Sequence, residues 1–177
     1  PRHPDNLCAV FLEHPGWYDS ARSAAVKWSV PIPVMMAIMY HESRVRADAR
    51  PPRETFLFFP TGPRPSTAFG YAQALDGTWD QYIAHTGNRG ARRDDFAAAV
   101  DFIGWYCRLS RVRCGIASDD AFRLYLAYHE GHAGFLRRSY ANKPWLPAVA
   151  RRVADRASRY EAQLAACNPD TGIGLSH

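Results

Sequence analysis

The 177 residues, 47% hydrophobic and 13% aromatic, suffice for one folded domain with its own core and exclude an intrinsically disordered chain. No run of about 18 uninterrupted apolar residues occurs, which excludes a membrane-spanning helix by length. The net charge of +5 suits an anionic partner, yet no basic run interleaved with aromatics and no zinc-finger spacing occurs, so no nucleic-acid partner is expected.

Helical periodicity dominates the chain order. A first helix is expected over residues 16–29, where Trp17, Ala21, Ala24, Ala25 and Trp28 recur at helical spacing. Val30-Pro31-Ile32-Pro33 interrupts it, and Pro33 suits the first turn of a second helix running from Val34 to about Ala47. That helix sets Met35, Ile38, Met39 and Glu42 on one face. Residues 48–68 form a long proline-rich irregular stretch carrying Phe56, Phe58 and Phe59, read as either a functional loop or a small hairpin around Thr55–Phe59. A short helix over 76–85 ends at Gly87, Asn88 and Gly90. Asp94 or Asp95 starts the next helix, to about Leu109, with Phe96, Val100, Ile103 and Cys107 as its stripe. Ser118 and Asp119 look like the cap of a helix through Leu124 to Glu130, and Trp145–Cys167 reads as a last amphipathic helix. With no internal repeat and no linker, residues 1–177 read as a single, mainly α domain.

Four cysteines without CxxC spacing favour disulfides over metal ligation. Cys107 and Cys114 are close in sequence beside a helix end, and Cys8 and Cys167 lie near the two termini. The pairing expected is therefore Cys107–Cys114 with Cys8–Cys167, the alternative being four reduced thiols. Disulfides point to an oxidising compartment such as a periplasm. The sequence begins without a start methionine, and a membrane anchor ahead of residue 1 is compatible with this.

The chemistry centres on Glu42. An apolar surface formed by Met35, Ile38 and Met39 would desolvate its carboxyl and raise its pKa, as a general acid near neutral pH requires. The competing reading is a surface glutamate pairing with Arg46 at i+4. His41-Glu42-Ser43 is followed in order by Gly70-Tyr71-Ala72-Gln73 and by Ala127-Tyr128-His129. Over about residues 30–135 this arrangement resembles the soluble lytic transglycosylase family, which has a goose-type-lysozyme-like fold. That family carries a Glu-Ser pair, a Gly-Leu-Met-Gln segment and an Ala-Tyr-Asn segment. Glu42-Ser43 matches the first in full. The second retains Gly70 and Gln73 but has Tyr71 and Ala72 in place of Leu and Met, and the third has His129 for Asn.

The resemblance implies a lysozyme-like helical domain, with the 48–68 loop or hairpin beside an active-site groove. It also implies a peptidoglycan lytic transglycosylase that cleaves the MurNAc–GlcNAc β-1,4 bond and leaves 1,6-anhydro-MurNAc. Glu42 would be its one catalytic residue. Ser43, Gly70, Tyr71, Gln73, Tyr128 and His129 would bind or orient substrate, with the Tyr128 hydroxyl aimed at the Glu42 carboxyl. Glu130 reads as either a second acidic participant or a solvated helix-end charge. No HExxH occurs, and neither a metal nor a cofactor is expected. The expected partner is the glycan strand, met by a monomer in the periplasm or cell envelope. Two alternatives stand beside this: a lysozyme- or chitinase-type hydrolase on the same fold, and a non-catalytic wall-binding domain.

Overall fold

The computed structural model describes residues 1–51 and 66–167. Within them lie seven α-helices and a 3-10 turn: α1 (Leu7–Glu13), α2 (Pro15–Trp28), α3 (Ile32–Ser43), α4 (Asp76–Thr86), α5 (Phe96–Cys114), α6 (Ala121–Leu136), the turn Ser139–Asn142, and α7 (Trp145–Cys167). The mainly α class is borne out. The described residues contain no strand, only one isolated antiparallel bridge between Phe69 and Ala74. The loop or small hairpin expected around Thr55–Phe59, with the rings of Phe56, Phe58 and Phe59, lies outside the described residues.

Side-chain chemistry sets most boundaries. Asn6, Asp95 and Asp120 each accept a hydrogen bond from a backbone N–H three residues on, which satisfies a donor left free by the helix start. Pro15 opens α2 and Pro33 lies in the first turn of α3, where a missing N–H costs nothing. Gly87 and Gly115 end α4 and α5 in the left-handed conformation.

Expected ends move in α3, α5 and α6, the last of which runs through a kink at Gly131 to Leu136 rather than stopping at Glu130. Helix α3 stops at Ser43 rather than Ala47, because Arg44 and Val45 both take positive φ. Helix α5 runs to Cys114 instead of Leu109. Helix α1 was not expected; its seven residues are too few to show periodicity.

Helix α3 is the hub. Seven consecutive residues, Val34 to Tyr40, are buried, and the helix packs against α2, α5, α6 and α7. The expected single apolar face is thus an apolar surface all round. Close approach is required where α5 crosses: a Cβ on Gly104 would sit 2.6 Å from the Trp28 ring and 3.1 Å from the Met35 sulfur.

The N-terminal segment is clamped to α7. Leu7 N–H donates to Gln163 Oε1 at 2.8 Å, Arg156 pairs with Asp5 at 2.7 Å, and the Cys8–Cys167 disulfide closes the ends. The second expected disulfide is absent, and Cys107 and Cys114 are free thiols. Both lie on α5, seven residues apart, a rise of about 10.5 Å, whereas bridged Cα atoms need to be within about 7 Å. Thiol titration of the unfolded, unreduced protein should therefore count two thiols, not none. Replacing Cys8 and Cys167 by alanine should lower stability by about 5 kcal/mol in denaturant melts, given the 159-residue separation.

Candidate active site

Glu42 occupies the last turn of α3, partly accessible at the end of the buried helix. Burial raises its pKa from 4.5 to about 7, against a smaller opposing pull from the Tyr125 hydroxyl, which donates to the carboxyl. The helix C-terminus, where carbonyl dipoles disfavour negative charge, pushes the same way. His41 packs edge-on against Tyr125 at 5.4 Å. Burial, with Arg152, Arg44 and Arg156 around it, holds the His41 ring below its ordinary pKa and so favours the neutral form.

Tyr125, one turn before Tyr128 on α6, therefore makes the contact expected of Tyr128. The Tyr128 hydroxyl donates instead to the Ala72 carbonyl at 2.6 Å. The tyrosine ring is still near enough for the Glu42 charge to help raise its pKa, after burial as the main cause. The two tyrosines share a helix face at i, i+3, and only the packing angle of α6 decides which reaches α3 and which reaches the turn at 69–74.

That turn is built by Gly70 and Gln73. Gly70 has φ +76°, and a Cβ there would lie 2.0 Å from the Arg93 carbonyl oxygen, so no other residue fits. Gly70 N–H donates to the Ala49 carbonyl at 2.9 Å. The Gln73 amide donates at 2.8 Å to both the Ala49 and Gly70 carbonyls, stapling the turn to the chain that leaves α3. Arg93 completes the brace, donating to the Thr67 and Ala74 carbonyls and pairing with Asp76 at 2.8 Å. Sequence reasoning missed Arg93, since nothing in its neighbourhood separates it from other surface arginines.

The remaining candidates divide. Ser43 is buried; its hydroxyl donates to the Met39 carbonyl and accepts from Arg46 N–H, so it shapes the chain reversal after Glu42. The Tyr71 ring is buried in the core, edge-on to Trp17 at 5.7 Å and Phe96 at 5.8 Å. His129 faces a cleft of roughly 230 Å³ whose lining includes Gln73, Leu75, Tyr128, Glu130 and Gly131. A larger hollow, roughly 610 Å³, lies between α2 and the start of α5, but no candidate residue lines it.

Glu130 is not a solvated charge. Its side chain is 3% exposed, with Lys143 Nζ at 2.6 Å, His129 Nδ1 at 3.0 Å and the Ser139 hydroxyl as donors. Burial alone would raise its pKa, but these three hydrogen bonds hold it down to about 2. Glu130 is thus ionised and fully engaged, with no proton to give.

The two glutamates make opposite linkage contributions. Folded Glu42 keeps its proton to about pH 7, while the unfolded chain releases it near pH 4.5, so stability from this group falls as pH rises through that window. Glu42→Gln should therefore unfold like the wild type at pH 4 and be more stable at pH 8, by on the order of 3 kcal/mol. Thermal melts at the two pH values check this.

A family model described as "Transglycosylase SLT domain" matches residues 1–167. No curated protein and no solved structure matches the chain.

Proposed function

The chain belongs to the transglycosylase SLT domain family, whose broad activity is lytic transglycosylation of peptidoglycan, and on that premise we propose that Glu42 cleaves the MurNAc–GlcNAc β-1,4 bond by alternating as acid and base. The observation that carries this is one glutamate, partly accessible, with a pKa raised to about 7 and a tyrosine hydroxyl fixed on its carboxyl. Near neutral pH both protonation states are populated, as a group that must give and then take a proton requires.

Protonated Glu42 donates to the glycosidic oxygen as the C1–O bond breaks. The positive charge developing at C1 is met by the substrate's own 2-acetamido oxygen, so no second carboxylate is needed. Ionised Glu42 then removes the proton from the muramic O6 hydroxyl, which attacks C1. A 1,6-anhydro ring forms without consuming water, and the proton returns to Glu42. Glu130 is unsuited to the second-carboxylate role of a hydrolase, because its oxygens are engaged by Lys143, Ser139 and His129.

The other candidates serve this step by holding geometry. Tyr125 orients the carboxyl. Gly70 and Gln73 shape the turn that Tyr128 ties to α6, and Tyr128 and His129 form the cleft wall a glycan strand would contact. Ser43 fixes the helix end, and Tyr71 anchors the turn in the core. The protein acts as a monomeric single domain in the periplasm or cell envelope, where the Cys8–Cys167 disulfide persists.

Mass spectrometry of digested glycan strands is the direct test. Products should lack one water relative to reducing ends, and reducing ends alone would show a hydrolase. Glu42→Gln should lower turnover at least a thousandfold; clearing of sacculi at the wild-type rate removes Glu42 from the mechanism.

Tyr125→Phe should reduce kcat by about tenfold. Because the lost hydrogen bond lowers the Glu42 pKa, the alkaline limb of the pH–rate profile should move to higher pH. An unmoved limb would mean that the hydroxyl does not act on the carboxyl.

A further inference from the structure

Helix α6 is broken beside the cleft. Gly131 has φ 73° and ψ 160°, outside helical values, and the helix resumes beyond it. The break is bridged by the Glu130 carboxylate, which gathers Lys143 Nζ, the Ser139 hydroxyl from the following 3-10 turn, and His129 Nδ1 from its own helix. A buried carboxylate held by three donors is costly to assemble, and an apolar contact would serve the kink as well. The His129 contact separates this cluster from a purely structural one, because it orients a ring that lines the cleft with Gln73 and Tyr128.

The ring's orientation follows from donor chemistry. An ionised carboxylate can only accept, so at 3.0 Å from Glu130 Oε1 the His129 Nδ1 carries the hydrogen. The edge-on indole of Trp145, centroids 5.3 Å away, packs against the same ring, and Tyr125 lies beyond at 6.4 Å. In the neutral ring Nε2 then holds a lone pair and has no partner among the described residues; the side chain is 31% exposed.

We propose that His129 is a substrate-specificity residue whose Nε2 accepts a hydrogen bond from a sugar hydroxyl of the glycan strand, and that Glu130 is the positioning residue that fixes its tautomer and ring plane. This rests on the reading of the cleft as the glycan site. It assigns Glu130 and the working atom of His129, neither of which that reading specifies. Lys143 and Ser139 keep the Glu130 carboxylate in place, Lys143 at 2.6 Å.

Two amides separate the nitrogens of His129. Asparagine places its amide near where Nδ1 stands, and glutamine places its amide near Nε2. The probe is soluble, peptide-free glycan strands, with turnover measured on otherwise wild-type protein and affinity measured on the Glu42→Gln background. His129→Gln should keep kcat/KM within about threefold, while His129→Asn should lower it about tenfold, chiefly through KM. The double change Glu130→Met with Lys143→Met removes the charges together and so leaves none unpaired; it should fold, raise KM by about tenfold and leave kcat within threefold. Glu130→Gln, which retains an acceptor for Nδ1–H, should restore KM to within threefold of the wild type.

His129→Asn at the wild-type level, or His129→Gln no better than His129→Asn, overturns the assignment. The affinity arm keeps the two readings apart. If Glu42→Gln still cleaves strands, the catalytic reading fails; if it binds without cleaving and changes at His129 leave the Kd unmoved, only this assignment fails.

Discussion

Burial of the middle of α3, Val34 to Tyr40, is the constraint on which the rest of the structure depends. A helix whose residues 34–40 touch only protein must be surrounded, and α2, α5, α6 and α7 are arranged to surround it. The same burial carries Glu42 to the end of that helix, where water is scarce and the carbonyl ends of the helix disfavour negative charge. The raised pKa of Glu42 is thus a consequence of how the core is built. It needs no neighbouring acid, and Tyr125 tempers it rather than causing it.

Around this centre the site is assembled from segments that hold one another. The turn at 69–74 is tied to the exit of α3 by Gly70 and Gln73, to the chain ahead of α5 by Arg93, and to α6 by Tyr128. Each link is a hydrogen bond to a backbone carbonyl, donated by the Gly70 N–H and by the side chains of Gln73, Arg93 and Tyr128. Gly70 and Gln73 both have positive φ, a conformation that L side chains rarely adopt and that such bracing maintains. In this arrangement the amide of Gln73 is engaged by two backbone carbonyls, and its side chain lines one cleft with Tyr128 and His129.

Glu42 and Glu130 show how environment divides one chemistry into two. Both are withdrawn from water. Glu42 meets one hydroxyl and an apolar surround, and holds its proton to about pH 7; Glu130 meets an ammonium, a hydroxyl and an imidazole, and is ionised down to about pH 2. A count of acidic residues near the site would find two candidates for acid–base work, whereas the donors around them leave one.

What the sequence determined by itself was local or periodic. The helical class, the position of Glu42 at the end of an apolar run, and the order of the three motifs all follow from spacing along the chain, which a helix converts directly into a face. What the tertiary structure decided depends on helices meeting at particular angles and distances. Tyr125 and Tyr128 occupy one face of α6, and only the way α6 lies against α3 and the turn gives the first to Glu42 and the second to Ala72. Cys107 and Cys114 were close in sequence but far in space, because the helix between them ran on to Cys114; Cys8 and Cys167 were far in sequence and became neighbours when α1 docked on α7. Glu130 became a buried, fully bonded anion because the chain folds back after the α6 kink and brings Ser139 and Lys143 to it, and no pattern along the sequence encodes that return.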